Sequence, residues 1–171
     1  MEDPILQKAT YSAVVNDSGS NALVDASVTL SPATTGGSGL TNPTGKATMI
    51  VSSSQSYTGV ASMTGYTMSA PKPAGTNVVY NLALASGNGS LIVTVKGTED
   101  AVLSGAVVTT KSGDKSYSQD TNSSGVAAIG LAPGVYSVTA SASGYTTSTA
   151  ISKSVTDGGT TLHTITLAAT S

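Results

Sequence analysis

Short runs of apolar residues alternate with polar residues along the whole chain. Clusters of Gly, Asn, Asp, Ser and Pro separate these runs at intervals of about 8 to 12 residues. Alternation with a period of two places successive side chains on opposite faces of a β-strand. No window shows the sustained apolar stripe of an amphipathic helix. The pattern therefore predicts an all-β protein made of sandwiches, with no long helix.

The pattern also places the individual strands. In the first half they are predicted at 9–16, 26–32, 46–51, 56–63 and 77–85, with a short strand at 66–70. In the second half they are predicted at 90–96, 106–111, 115–120, 126–131, 135–141, 146–155 and 160–168. The Gly-rich stretch 36–39 lacks the Lys-Ser/Thr pair and the helix of a phosphate-binding loop, so we predict a mobile loop there.

The chain contains two copies of one pattern, at an offset of 79 or 80 residues. The repeated features are Thr41-Asn42-Pro43-Thr44-Gly45 with Thr121-Asn122-Ser123-Ser124-Gly125, and Tyr57, Gly65 and Tyr66 with Tyr136, Gly144 and Tyr145. A fixed period of this length indicates tandem copies of one structural unit. We predict an N-terminal arm at 1–10, sandwiches at 11–85 and 91–171, and a short flexible linker at 86–90 that leaves the domains end to end.

Composition restricts the function more than it identifies it. Only 9% of the residues are charged and the net charge is −2, which argues against nucleic acid as a partner. The chain has no Cys, Phe or Trp, so its two small cores depend on aliphatic residues and seven tyrosines. No apolar stretch is long enough to span a membrane, and residues 1–10 lack the features of a signal peptide. A polar surface with few charges is typical of extracellular and virion-exposed β-proteins.

Glycine and tyrosine recur at turns and at the predicted core rims. We expect Gly45 and Gly125 to have positive φ angles where the chain reverses into the next strand. Tyrosine has an apolar ring and a polar hydroxyl, which suits the rim of a small core. The residues assigned to structural turns and rims are Gly45, Tyr57, Gly65, Tyr66, Gly125, Tyr136, Gly144 and Tyr145.

The second copy carries the ordered elements Gly105-Ala106, the turn at 120–125, Pro133-Gly134-Val135-Tyr136 and Gly144-Tyr145. In this order they resemble the carboxypeptidase regulatory-like family of transthyretin-like or Ig-like domains. The resemblance implies two tandem Greek-key β-sandwiches and is nearly silent on function. Related collagen-adhesin repeats form Lys–Asn crosslinks with the help of an acid, but Val60 and Thr139 occupy the matching positions. We therefore expect no crosslink.

The candidate chemistry is sparse. His163 is the single histidine and could serve as a base for a serine nucleophile, with Asp157 nearby. Period two instead places His163 on the same face as Ile165 and Leu167, and the first copy shows Tyr80 ahead of Leu82 and Leu84. We favour a structural role for both His163 and Tyr80, closing the rims of their cores.

Metal and sugar sites receive weaker support. Asp120-x-Asn122 and the pair Asp114 and Asp120 supply oxygen ligands, yet they lack the further carboxylates of a calcium loop. We predict a structural turn there, and no metal or cofactor. Carbohydrate recognition would need exposed aromatic platforms, and the candidates are Tyr66, Tyr117 and Tyr145.

These observations favour a non-catalytic structural protein of a repeated surface assembly. It would be a virion decoration or tail-associated protein, or a subunit of an extracellular filament or surface layer. Its partners would be copies of itself, or a capsid, tail or surface protein, with residues Pro4, Ile5 and Leu6 as a candidate assembly arm that adds a strand to a sheet edge. The alternative is a monomeric adhesin or glycan-binding module. The expected location is the virion surface or the cell exterior.

Overall fold

The computed structural model describes residues 7–170, and its strands form two β-sandwiches in tandem. The predicted all-β class with two tandem sandwiches is confirmed, and residues 7–170 contain no helix. The candidate arm residues Pro4, Ile5 and Leu6 lie outside the described residues.

Each sandwich contains seven strands. Those of the first are β1 (Lys8–Asp17), β2 (Ser27–Ser31), β3 (Ser38–Leu40), β4 (Lys46–Ser52), β5 (Thr58–Ser62), β6 (Lys72–Pro73) and β7 (Val78–Leu82). Those of the second are β8 (Gly89–Gly97), β9 (Val107–Ser112), β10 (Lys115–Asp120), β11 (Val126–Leu131), β12 (Gly134–Ser141), β13 (Ile151–Val155) and β14 (Thr160–Leu167). Strands β1 and β8 take in the last residues of the proposed arm and linker.

The two sandwiches have the same strand order. The first pairs a β4-β1-β7 sheet with a β3-β2-β5-β6 sheet, and the second pairs β11-β8-β14 with β10-β9-β12-β13. In each, the first strand lies antiparallel to one neighbour and parallel to the last strand, as β1 does to β7 and β8 to β14. The repeat in the sequence thus corresponds to a repeat of topology.

Each sandwich has its own core, built from the inward-facing residues of its strands. The largest fully buried side chains are Tyr80, Leu23, Leu82, Leu91, Leu131, Leu167, Val15, Val28, Val93, Val95, Val108 and Val138. Burial of one aliphatic side chain of this size contributes roughly 1.5–3 kcal/mol. Tyr80 carries much of the packing in the first sandwich because no Phe or Trp is available.

The repeated Thr-Asn turns perform the same two tasks in both sandwiches. The buried hydroxyl of Thr41 donates to the carbonyl of Leu23 at 2.6 Å and accepts from the amide of Ala26 at 2.9 Å. The hydroxyl of Thr121 bonds to Leu103 and Ala106 in the same way. These bonds satisfy buried backbone groups that would otherwise be left unpaired.

The turn that follows each threonine reverses the chain. The side-chain oxygens of Asn42 and Asn122 each accept two backbone amides further along their turns. Gly45 and Gly125 complete the turns, each with a φ of 72°. A side chain is disfavoured in this left-handed region, so glycine is the residue that fits.

Two predictions about strands and loops in the first sandwich were wrong. Residues 36–39 were expected to form a mobile loop, yet Ser38–Leu40 is strand β3 and pairs with β2. A short strand was expected at 66–70, but the edge strand is Lys72–Pro73, and Tyr66 forms only an isolated bridge to Leu84. Gly and Pro content misled both predictions, because pairing with a longer neighbour outweighs local propensity.

The proposed correspondence between Tyr80 and His163 was also wrong. Tyr80 pairs with Val15, and the matching position beside Val95 in the second sandwich is occupied by Ile165. Tyr80 is a core residue with 1% of its surface exposed, not a rim residue. His163 instead matches Val78 and is half-buried. The chain before β14 is longer than the chain before β7, which changes the offset.

Candidate functional site

The two sandwiches contact each other through hydrogen bonds, apolar side chains and a close approach of two backbone segments. The loops after β1, after β3 and after β5 lie at one end of the first sandwich. This end packs against the edge strands β10 and β11 of the second sandwich. The domains are therefore arranged end to flank, not end to end as the linker had suggested.

A pair of glycines forms the closest approach. A Cβ atom on Gly65 would lie 2.3 Å from the carbonyl oxygen of Gly130, and a Cβ on Gly130 would lie 2.7 Å from that of Gly65. Neither backbone could tolerate a side chain at this separation. The sequence predicted Gly65 only as a turn residue. The structure shows a turn conformation, with a φ of 87°, and adds the contact with Gly130. Its repeat counterpart Gly144 has a φ of 80°, but a Cβ atom added there would meet nothing within 4 Å beyond its own chain neighbours.

Polar side chains of the second sandwich bind backbone groups of the first. The amide nitrogen Nε2 of Gln119 donates to the carbonyl of Val24 at 2.7 Å, and Nδ2 of Asn122 donates to that of Ala22 at 3.2 Å. The backbone amide of Ser123 donates to the carbonyl of Pro43 at 2.8 Å. Gln119 and Asn122 are both buried, so loss of either bond would leave a desolvated polar group.

An apolar contact continues the interface beside the glycine pair. Ala128 of β11 is 3% exposed and belongs to the core cluster of the first sandwich, and Ile92 packs against the same cluster. Strand β11 is therefore buried on both faces, although it lies at the edge of its sheet. Covering an edge strand in this way protects it from pairing with foreign strands.

The linker is bonded to both sandwiches. Nδ2 of Asn88 donates to the carbonyl of Gly65 at 3.2 Å, and the backbone amide of Gly158 donates to the carbonyl of Asn88 at 3.1 Å. The segment predicted to be flexible is thereby attached at its centre. The bonds restrict its freedom more than its composition suggested.

A cleft of about 600 Å³ lies between the two sandwiches, next to this interface. The first sandwich contributes Asp25, Ser27, Ser62, Met63 and Thr64, and the second contributes Tyr117, Ser118, Gln119, Ile129 and Gly130. Apolar side chains and hydroxyl groups are mixed on its walls. Strand β10 forms one side of the cleft, at the open edge of its sheet.

Two carboxylates lie close together beside the cleft: Asp25 is one of the residues that line it, and Asp120 is near enough to interact with the charge of Asp25. Partial burial, and then the negative charge of Asp25, raise the pKa of Asp120 above its usual value of 3.8. Asp25 itself has a φ of 59° where the second sandwich has Gly105 at 72°. A non-glycine residue in this region is uncommon, and Asp is one of the few that tolerate it.

We expect Asp120→Asn to stabilise the protein at neutral pH, by less than about 1 kcal/mol for so exposed a pair. A raised folded-state pKa means that protonation favours the folded state. This contribution is present below pH 4 and is lost as the pH rises through the folded-state pKa. Urea unfolding of both proteins from pH 3 to pH 7 should show the curves converging at low pH. A constant difference at every pH would contradict the charge effect.

A smaller cavity of about 210 Å³ lies on the other side of the interface, lined by Asp17, Asn21, Tyr66, Ser90 and other residues. Burial, and then the charge of Asp17, raise the pKa of the Tyr66 hydroxyl. That hydroxyl is buried and has no hydrogen-bond partner among the described residues. The Asp17 carboxylate is occupied by bonds to Gly19 and Asn21 within its own loop.

The remaining predicted site residues hold structural positions. Tyr57 and Tyr136 are buried, and the Tyr136 hydroxyl donates to the carbonyl of Ala132 at 2.9 Å. Tyr66 is buried at the interface, so it offers no sugar platform, whereas Tyr117 and Tyr145 are half-buried. Tyr117 alone lines the large cleft.

His163 lies on β14, opposite Val93, with its side chain half-buried. Burial, and then the charge of Lys153, lower its pKa. Its buried Nε2 atom has no hydrogen-bond partner within residues 7–170, so no serine or acid binds that nitrogen.

The described chain also holds no group of three or more His, Cys, Asp or Glu placed to bind a metal. Residues 7–170 include no helix that could cross a membrane.

The residues that make the interface were not found from the sequence. Gln119 and Ala128 carry no local pattern that identifies a contact with another domain. Gly130 did carry a signal, since a glycine inside an otherwise apolar strand marks a close backbone approach.

Three solved structures are similar to most of this chain. The Bacillus anthracis TIE protein is 18% identical over 94% of this chain and 34% of its own, with a TM-score of 0.43. GBS52, the minor pilin of Streptococcus agalactiae, is 16% identical over 95% of this chain and 96% of its own, with a TM-score of 0.41. The shaft pilin SpaA from Lactobacillus rhamnosus GG is 13% identical over 96% of this chain and 98% of its own, with a TM-score of 0.38.

The chain spans about a third of the length of the TIE protein. A comparison with curated protein sequences finds no match. The sequence profile of the carboxypeptidase regulatory-like domain matches residues 90–168, which is the second sandwich from β8 to β14. The resemblance to the carboxypeptidase regulatory-like family, predicted from the sequence, is thus confirmed for residues 90–168.

Proposed function

We propose that this chain is a non-catalytic structural protein in which two sandwiches act as one stiff unit of a repeated assembly outside the cell. The interface between the domains carries this proposal. The glycine contact, the bonds from Gln119 and Asn122 and the tethered linker hold the sandwiches in one orientation. A fixed orientation of the two domains is useful to a spacer or subunit that must hold its neighbours at a defined distance and angle.

The distribution of chemical groups supports the same assignment. The single histidine has a lowered pKa and a half-buried position on a strand, and its neighbour Lys153 is a cation, not an activating acid. Asp25 is the carboxylate that lines the cleft, and none of the cleft-lining residues is basic. These groups are not arranged as a nucleophile, base and orienting acid.

Within this class we prefer a subunit of an extracellular filament or surface layer. The chain is rich in Ser, Thr and Gly and poor in charge, which suits close contact between copies without long-range repulsion. A virion decoration or tail-associated protein has the same requirements and is the other assignment within the class.

The test is the association state of the purified chain. Sedimentation velocity over a hundredfold range of concentration should reveal concentration-dependent oligomers, and electron microscopy should show their symmetry. A monomer at every concentration, with a defined sugar ligand on a glycan array, would overturn the proposal. Labelling of intact cells and of virus particles with an antibody separates the two assignments within the class.

One observation favours the alternative of a glycan-binding module. Tyr117 is half-buried beside Ser118 and Gln119 on the wall of the cleft, and an aromatic ring near hydroxyl and amide groups can bind a sugar. Under this alternative, Tyr117→Ala should abolish binding to the array.

A further inference from the structure

We propose that the open edge of β10 binds residues 2–6 of a second copy of this chain as an added parallel strand. The inference rests on the proposed function and names the contact by which copies would join. Backbone groups, apolar side chains and charges along β10 each support it.

The backbone of β10 is available for pairing on one side. Residues Gly113 and Asp114 form the two-residue turn between β9 and β10, so Ser112 and Lys115 form the first hydrogen-bonded pair. Bonded positions alternate in an antiparallel ladder, and the bond from Thr121 to Ala106 at 2.8 Å continues the same phase. The amides and carbonyls of Ser116, Ser118 and Asp120 therefore point away from β9, toward the open edge.

The cleft beside this edge supplies room and apolar surface. It holds about 600 Å³, and Met63, Tyr117 and Ile129 line it. Residues Ile5 and Leu6 form the apolar part of the 2–6 segment, and Pro4 precedes them. Proline is tolerated at the start of an edge strand, where its missing amide costs no ladder bond.

The charges match in only one direction. Lys111 and Lys115 flank the turn where β10 begins and outnumber Asp114 there, whereas Asp120 ends β10, close enough to Asp25 for their charges to interact. The segment runs from Glu2-Asp3 through Pro4-Ile5-Leu6 to Lys8. An added strand parallel to β10 places the acidic residues near the lysines and Lys8 near the aspartates.

The segment that fills the cleft must come from another copy. Strand β1 has 10 residues and spans about 33 Å, and its start at Lys8 lies at the end of the first sandwich remote from the cleft. Six residues reach roughly 20 Å when fully extended, which is too short to return along the sandwich to their own cleft. Binding between copies in this way would join them head to tail in an open series, since the two surfaces differ.

The test uses the chain without residues 1–6 as the acceptor and a fluorescent peptide of residues 1–8 as the probe. We expect the peptide to bind, and Ser118→Pro and Lys115→Glu to weaken binding at least tenfold. Lys46→Glu, on the outer face of β4, is the matched control and should leave binding unchanged. A peptide with Glu2→Lys and Asp3→Lys should recover affinity for the Lys115→Glu acceptor, an effect that misfolding cannot produce.

The outcomes separate this inference from the proposed function. Failure of the peptide to bind, or equal binding to Ser118→Pro and Lys115→Glu, would refute the β10 contact. Oligomers of the full chain that persist after deletion of residues 1–6 would refute it as well, yet leave the structural role intact. A full chain that stays monomeric and binds a glycan in this cleft would refute both.

Discussion

Replacing Gly65 with alanine is expected to separate the two sandwiches without unfolding either one. The added Cβ would lie 2.3 Å from the carbonyl oxygen of Gly130, a backbone atom that cannot move aside alone. Relief of this clash requires the domains to shift apart, which breaks the nearby bonds from Gln119 and Asn122. Small-angle X-ray scattering should show a longer maximum dimension, and the free energy of unfolding of the first sandwich should fall by about 2 kcal/mol or more, as is usual when buried polar groups lose partners.

The repeat provides a matched control for this prediction. Gly144→Ala introduces the same left-handed strain, since Gly144 has a φ of 80°, but nothing lies within 4 Å of its added Cβ. We expect a loss of only about 1 kcal/mol and an unchanged scattering curve. Equal effects of the two substitutions would show that strain alone, and not the contact with Gly130, determines the result.

Replacing Tyr80 with alanine should cause the largest loss of stability of any single substitution in the first sandwich. Tyr80 is 1% exposed and is the largest of the fully buried side chains. Removal of a buried aromatic ring typically costs about 3–5 kcal/mol, and this core has no Phe or Trp to compensate. Urea unfolding should show the first sandwich unfolding early, while NMR signals of Val93 and Ile165 in the second remain dispersed.

Tyr80→Phe is the control for this substitution because it retains the ring. Lys72 places its Nζ atom 5.3 Å from the centre of this ring, and that contact survives in the phenylalanine variant. We expect a loss below about 1 kcal/mol. A large loss of stability in Tyr80→Phe would show that the hydroxyl group, and not the packing of the ring, makes the main contribution of Tyr80.

The fold was predictable because its determinants are local. Alternating residues and turn residues such as Gly45 and Gly125 are visible in the sequence, and the 79- or 80-residue offset revealed the two units. Errors arose where partners distant in sequence decide the outcome. Ser38–Leu40 is a strand because β2 offers it backbone bonds, and Tyr80 is buried because Val15 lies beside it.

The candidate site was harder to predict for the same reason. Asn122 was identified as a turn residue, and its side chain does hold the turn, but its Nδ2 atom also reaches Ala22 of the other sandwich. Its counterpart Asn42 holds the equivalent turn and is exposed. The two asparagines thus hold equivalent turns but differ in what packs against them, which no local pattern records.

The parallel pairing of β1 with β7 has a mechanical consequence. The chain enters the first sandwich at Lys8 and leaves it after Leu82, at opposite ends of the same sheet. Traction between these points acts along the strands, whereas the hydrogen bonds of the pair cross between the strands. All hydrogen bonds between the two strands therefore share the load in shear, and they do not break one after another. Strands β8 and β14 repeat the arrangement, so tension along the chain would load the second sandwich in the same geometry.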